Sequence, residues 1–285
     1  MLSPVLIVGC GYLGSRLGSL LVSQGVSVVA TTTRASRVGE LEALGFEPLV
    51  FDVHGGGDQG FLWARSYGAV VYAVAPGQKG DPKLVFHQGA LDCAQRILKG
   101  APPRPRRFLY ISSTGVYHQR DGSEVDEGSP AEPLEERPKT LRLAEEDLLA
   151  LSRERGFPAA ILRLGGLYGP DRSPVEWLRR PEMRSRVLRG GSEAYMNWVR
   201  VEDAASAALL ALEKARPGEV YLVVDDEPVT RGEFYRFAAE RAGLPPPRLP
   251  SSPDDLGKRC RNRKAKAELG FRPKFPSYRE GLRDL

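Results

Sequence analysis

The sequence predicts an α/β protein: a doubly wound parallel sheet carrying a smaller, interleaved C-terminal cap. Three observations carry this. Short apolar, β-branched runs alternate with helix-length amphipathic segments through the first two-thirds of the chain, the pattern of βαβ units in a parallel sheet with helices on both faces. A glycine-rich turn, Gly9-Cys10-Gly11-Tyr12-Leu13-Gly14, joins the first run to the first amphipathic segment. The last third breaks the alternation with a stretch rich in Pro and Arg at 169–191.

Taken in order, residues 4–8 read as a buried strand. Leu13, Leu17, Leu20 and Leu21 then fall on one face of a helix that Gly25 would cap. Residues 26–33, 47–53, 69–75 and 107–112 follow as strands, with helices over 37–44 and 83–98 between them. A strand is expected at 159–164, then 197–201 leading into a helix over 201–214. A strand at 219–224 and a helix at 230–242 precede the Pro-rich 244–253. The implied division is a dinucleotide-binding unit of 1–164 plus 197–215 and a cap of 165–196 plus 216–285.

Composition narrows the class. The chain has 285 residues with 41% hydrophobic and 27% charged, ordinary for a globular protein with a sizeable core. A net charge of +5 permits anionic partners without identifying one. No apolar run approaches the roughly 20 residues of a spanning helix, and the N-terminal run leads into the glycine turn without a basic leader or cleavage site. Cys10, Cys93 and Cys260 are far apart, and three scattered histidines show no ligand spacing. A cytoplasmic, reduced and metal-free protein is expected.

The glycine turn is a G-x-G-x-x-G, with a strand before it, a helix after it and a second strand ending about 20 residues on. Gly9 permits the tight turn, Gly11 lets a pyrophosphate approach the backbone, and Gly14 lets the helix pack on the sheet. With Tyr12 and Leu13 opening that helix, its N-terminus faces the phosphates. This is the dinucleotide fingerprint of a Rossmann fold. A site for NAD usually ends the second strand with an acid for the ribose 2′-OH, whereas a nearby Arg accommodates the 2′-phosphate of NADP. Here the strand ends Thr31-Thr32-Thr33-Arg34, with Arg37 close behind and no acid. NADP is favoured, NAD being the alternative; the plain reading of Arg34 is a solvated surface residue.

Further motifs resemble the extended short-chain dehydrogenase/reductase family, the NAD(P)-dependent sugar epimerases and dehydratases. They are Tyr110-Ile111-Ser112-Ser113-Thr114-Gly115-Val116-Tyr117, Leu162-Arg163 with Tyr168-Gly169-Pro170, Val201-Glu202-Asp203, and Lys264-Ala265 through Leu269-Gly270-Phe271-Arg272-Pro273. The resemblance runs nearly end to end. It implies that Asp52 contacts adenine, that Ala73, Val74, Ala75 and Ser112 line the cofactor cleft, and that Ser113 ends the serine strand beside the substrate.

The resemblance also implies a Tyr-x-x-x-Lys pair on the helix after that strand, where the lysine lowers the tyrosine pKa and the tyrosine moves a proton. No Tyr-x-x-x-Lys occurs in this sequence. Aligned on Leu143-Ala144-Glu145-Glu146, Arg142 stands at the lysine position and Pro138 at the tyrosine position. Arg142 keeps the charge and ribose hydrogen bonds but cannot shuttle a proton. Ser113 remains to bond a substrate oxygen, or simply caps the following turn. Tyr117 is the motif tyrosine nearest for acid duty, its plainer role being packing at the strand-to-loop corner. The chain thus resembles the atypical branch of the family.

Six of the nine residues at 258–266 are basic. They suit a solvated helical face, a phosphate-bearing substrate, or nucleic acid, the last disfavoured because no aromatic residue is interleaved before Phe271. Residues 121–136 read as a solvated, acidic connector. The expectation is an oxidoreductase or epimerase-like enzyme acting by hydride transfer on a small polar substrate of the nucleotide-sugar kind, as a monomer or homodimer. The alternative is a non-catalytic NADP(H) sensor.

Overall fold

The computed structural model describes residues 3–55, 60–63, 65–77, 80–100, 103–183 and 186–285. Its first strand, β1 (Val5–Val8), is buried along its whole length because helices cover both faces. The chain continues through α1 (Tyr12–Ser23), β2 (Val28–Thr32), α2 (Val38–Ala43) and β3 (Glu47–Val50). After α3 (Gly60–Trp63) it returns to the other side of β1 as β4 (Ala69–Tyr72), α4 (Gly89–Lys99) and β5 (Arg107–Ser113). The helix expected over 83–98 opens with a wide π-type turn at Lys83–Gln88 before α4 begins.

Next come β6 (Asp121–Val125), α5 (Glu136–Arg155) and β7 (Ala159–Leu164). The remainder supplies β8 (Gly166–Tyr168), α6 (Pro174–Arg179), β9 (Tyr195–Met196), β10 (Trp198–Arg200) and α7 (Val201–Lys214). It ends with β11 (Val220–Val223), β12 (Val229–Thr230), α8 (Arg231–Ala242), β13 (Gly257–Cys260) and α9 (Tyr278–Gly281). The irregular stretch expected over 169–191 contains α6; its residues 184–185 lie outside the described ones.

Seven parallel strands form the main sheet in the order β11-β7-β5-β4-β1-β2-β3. The chain winds outward from β1 through β2 to β3, then from β4 through β5 and β7 to β11, so strand order reverses between β1 and β4. Such a switch point opens a crevice at the C-terminal ends of the strands, where doubly wound sheets bind ligands. One face of the sheet packs against α1 and α7, with Leu17, Leu21, Ala204, Ala208 and Leu212 inside. The other packs against α4 and α5, with Ala94, Leu141, Ala144 and Leu148 inside. Each fully buried leucine contributes about 1.5–3 kcal/mol. A third apolar cluster, around Tyr168, Phe234 and Tyr278, joins α6, α8 and α9.

A second sheet has the order β12-β9-β13-β6. Two sequence expectations change here. Residues 121–125, read as part of a solvated connector, form β6 and pair in parallel with β13. The strand at 220–223, read as part of the cap, is the edge strand of the main sheet beside β7.

Candidate active site

Four loops converge at the switch point. Gly9, at φ +85°, turns the chain out of β1, and a Cβ there would come within 2.8 Å of the Val74 backbone. Glycine therefore lets the Ala73-Val74-Ala75 segment after β4 press against the turn. The Gly9 N–H donates to the Thr31 hydroxyl at 2.9 Å, and the Cys10 N–H to the Thr31 carbonyl at 2.8 Å. A Cβ on Gly14 would lie 3.1 Å from Ile7, which is the close helix-to-sheet approach the fingerprint requires. Around Gly11, the N-cap of α1, a Cβ would meet nothing within 4 Å. The start of a twelve-residue helix thus opens onto a space with no acidic side chain in its first turn, which fits a pyrophosphate.

Leu13 faces the core, so only its backbone is available to that space. The Tyr12 side chain turns the other way: its hydroxyl donates to the Pro170 carbonyl at 2.7 Å, and its ring lies within 4.2 Å of the Arg16 guanidinium and 4.3 Å of that of Arg172. The glycine turn is thereby tied to the segment after β8.

At the end of β2, Thr33 and Arg34 are exposed, the Arg34 N–H donating to the Thr32 hydroxyl. Arg37 lies deeper. Its Nη1 donates to the Cys10 carbonyl at 2.6 Å, while Nε and Nη2 reach both Glu40 carboxylate oxygens at 3.0 and 2.6 Å. That pairing holds the Glu40 carboxyl below the usual carboxylate range. Asp52, exposed two residues beyond β3, accepts the His54 N–H at 3.0 Å.

Ser113 ends β5 half-exposed, and its hydroxyl oxygen accepts the Gly115 N–H at 3.1 Å, capping the short turn at Thr114–Val116. The hydroxyl hydrogen remains for a further acceptor. Across this turn Pro138, at the start of α5, flanks Gly115. Arg142, one turn further along α5, bonds Glu146 at 3.1 Å and Glu145 at 3.5 Å, and donates to the Ala131 carbonyl at 3.3 Å.

Below the serines lies a buried polar network that the sequence reading missed. The Ser112 hydroxyl donates to Glu145 Oε1 at 2.6 Å. Arg163, next to last in β7, forks onto the same carboxylate, with Nη2 2.6 Å from Oε2 and Nε 3.0 Å from Oε1. Its Nη1 donates to the Tyr117 hydroxyl at 2.6 Å, which in turn donates to the Asp126 carbonyl at 2.8 Å. The acid role considered for Tyr117 meets an obstacle here: its side chain is buried, its hydroxyl is engaged on both sides, and burial raises the phenol well above its ordinary range despite Arg163. The available signal was Arg163 itself, since a cation inside an apolar strand demands a buried partner.

The basic run at 258–266 is not one helical face. Arg261 and Arg263 pair with Glu124 of β6, Lys264 with Glu219 at 2.5 Å, and Lys266 with Asp226 at 2.6 Å. Arg259 donates to the Gly122 carbonyl at 2.7 Å. Lys258 of β13 donates to the carbonyl of Tyr117, in the segment between β5 and β6, at 2.8 Å, and burial lowers its pKa. Among the described residues no three metal-ligating side chains cluster, and no helix is long and apolar enough to cross a membrane.

Comparisons agree with this layout. Protein YeeZ of Escherichia coli (strain K12) is 28% identical over 284 residues, covering 96% of this chain and 97% of that one. A dTDP-glucose 4,6-dehydratase of Actinoplanes sp. is 28% identical over 312 residues, covering 96% and 93%. The solved structure of a functionally unknown conserved protein from Silicibacter pomeroyi DSS superposes with a TM-score of 0.78 at 31% identity, covering 98% of this chain and 96% of that one. Residues 5–223, from β1 to the end of β11, match a single family as one unit. With its glycine turn, switch point and serine strand all inside that match, the chain belongs to the NAD dependent epimerase/dehydratase family.

Proposed function

We propose that the chain is an NADP(H)-binding oxidoreductase or epimerase-like enzyme that works by hydride transfer on a small polar substrate of the nucleotide-sugar kind. The observation that carries the cofactor choice is the end of β2, where Thr33 and Arg34 stand in place of an acid and Arg37 is fixed against the Cys10 carbonyl of the glycine turn. The backbone at Gly9, Gly11, Tyr12, Leu13 and Gly14 would hold the pyrophosphate. Thr33, Arg34 and Asp52 would border the adenosine, and Ala73, Val74, Ala75 and Ser112 would line the cleft beyond. Bound nicotinamide supplies hydride donation or acceptance.

The chain's own residues do the remaining work. The Ser113 hydroxyl, with its oxygen already held by Gly115, donates to a substrate oxygen and orients it. Arg142 brings a positive charge to the α5 side of the cleft, though its present partners are Glu145, Glu146 and Ala131. Proton exchange falls to water, because Pro138 has no titratable group and Tyr117 is sealed in. The main sheet serves the cofactor and the smaller sheet the substrate, with Lys258, held at the Tyr117 carbonyl, suited to an oxygen-rich group. The name of the Actinoplanes relative supports a nucleotide sugar as the substrate class.

Fluorescence titration with NADPH and NADH, followed by turnover assays on UDP- and dTDP-sugars, tests this reading. Tighter NADPH binding and turnover that Ser113→Ala removes are expected; a protein that binds neither nucleotide would overturn it. The lack of a titratable group at Pro138 favours a second reading, a non-catalytic NADP(H) sensor. Its mark would be selective NADPH binding with no turnover across the panel.

A further inference from the structure

Arg37 and Glu40 form a specific device beside the glycine turn. Arg37 is nearly enclosed, its side chain 14% exposed, whereas Glu40 is 55% exposed. The guanidinium cannot leave without breaking its bond to the Cys10 carbonyl at 2.6 Å, and its Nη2 also lies 3.5 Å from the Ser15 hydroxyl one turn into α1. Its remaining donors form a fork that grips both oxygens of Glu40. This two-pronged geometry is the one by which arginine recognises carboxylate and phosphate alike. Arg34 adds a second cation within electrostatic reach of the same carboxylate.

We infer that Glu40 is a stand-in for the 2′-phosphate of NADP and that its displacement sets the preference between the two nucleotides. The inference rests on the NADP reading above. A carboxylate offers one negative charge to two guanidinium groups, whereas a phosphate monoester brings about 1.5–2 at pH 7. The phosphate is thus the better complement to the fork, and the exposed Glu40 swings into water when it arrives. An NAD molecule has no group to compete for the fork, so its binding leaves the Arg37–Glu40 pair intact. Until a phosphate arrives, Glu40 occupies the fork and keeps the buried Arg37 paired, at the cost of some NADP affinity.

Equilibrium binding of NADPH and NADH, followed by nucleotide fluorescence, tests this without any turnover. Glu40→Gln should tighten NADPH up to about five-fold, the reach of a partly exposed ion pair, and leave NADH unchanged. Arg37→Met should lower the NADPH-to-NADH affinity ratio by about 10- to 100-fold, as expected for lost charge-assisted hydrogen bonds, beyond any common loss that the broken Cys10 bond brings to both nucleotides. Retained NADH binding shows that each variant is folded, and Arg37→Lys, which keeps the charge without the fork, should fall between wild type and Arg37→Met.

If Glu40→Gln weakens NADPH as Arg37→Met does, Glu40 orients the arginine and the displacement idea is wrong. If Arg37→Met destroys the preference while Glu40→Gln changes nothing, Glu40 is a bystander and only this inference fails. Wild-type protein that binds both nucleotides alike, unaffected by Arg37→Met, would sink the NADP reading itself.

Discussion

The Arg163 guanidinium lies 2.6 Å from the Glu145 carboxylate, and both side chains are closed off from solvent. This pair ties the inner strand β7, beside the edge strand β11, to α5, directly beneath the serines that end β5. Ser112 and Tyr117 complete it, so few of its donors and acceptors are left to compete with substrate.

Breaking the pair should be costly. Arg163→Met leaves the buried Glu145 carboxylate with only the longer Arg142 contact at 3.5 Å and the Ser112 hydroxyl, and should lower unfolding free energy by about 3 kcal/mol, the lower end of the range for a broken buried pair. The double variant Arg163→Met with Glu145→Leu should recover a large part of that loss, because two matched apolar groups replace two desolvated charges. Urea denaturation of the two variants and wild type checks this; equal losses in both would show that packing rather than charge decides.

Tyr117→Phe separates structure from chemistry. Removing the hydroxyl deletes the bonds to Arg163 and the Asp126 carbonyl and should cost about 1–3 kcal/mol of stability. Turnover on any sugar nucleotide accepted by the wild type should persist with an unchanged pH profile. A loss of turnover with the stability retained would return the proton to Tyr117.

Ser113→Ala should act on the substrate alone. The Gly115 N–H loses its acceptor at the exposed edge of the turn, a small structural change. Turnover should fall by about 100- to 1,000-fold, the size of one charge-stabilising hydrogen bond in a transition state, with the NADPH dissociation constant unmoved. A parallel loss of nucleotide binding would place Ser113 in the cofactor site instead.

A pH-dependent term should come from Asp225, just beyond β11. Burial is the largest cause and pushes its carboxyl well above the usual range. The unfolded carboxyl titrates near 3.9, so the folded state holds the proton more tightly. Stability from this group is therefore full below about pH 4 and declines as pH rises above it. Asp225→Asn removes that decline: its melting temperature should exceed that of wild type by a margin that widens from pH 5 to pH 8. A constant margin would mean that the carboxyl is not held neutral.

Much of the architecture was legible because it depends on local patterns. Continuous apolar runs marked β1, β4, β5 and β7, and the glycine spacing marked the turn whose steric demands Gly9 and Gly14 meet. What stayed hidden depends on distant partners. β6 is polar and acidic, and nothing in Asp121–Val125 announces a strand until β13 lies beside it and Glu124 meets Arg261 and Arg263. Side-chain direction was equally out of reach: spacing placed Arg142 on the right helix but could not say that it would turn toward Glu146. Tyr117 stood in a recognisable motif, yet only the position of Arg163 across the sheet decides where its hydroxyl goes.

The pairing of β6 with β13 also has a temporal side. A ribosome releases Asp121–Val125 well before Gly257–Cys260, so β6 emerges without the neighbour that completes its backbone hydrogen bonds. The main sheet from β1 to β7 can assemble while translation proceeds, since its strands are built from segments already made. The smaller sheet must wait until nearly the whole chain has been synthesised, and premature termination upstream of residue 257 would leave an unpaired strand on an otherwise formed sheet domain.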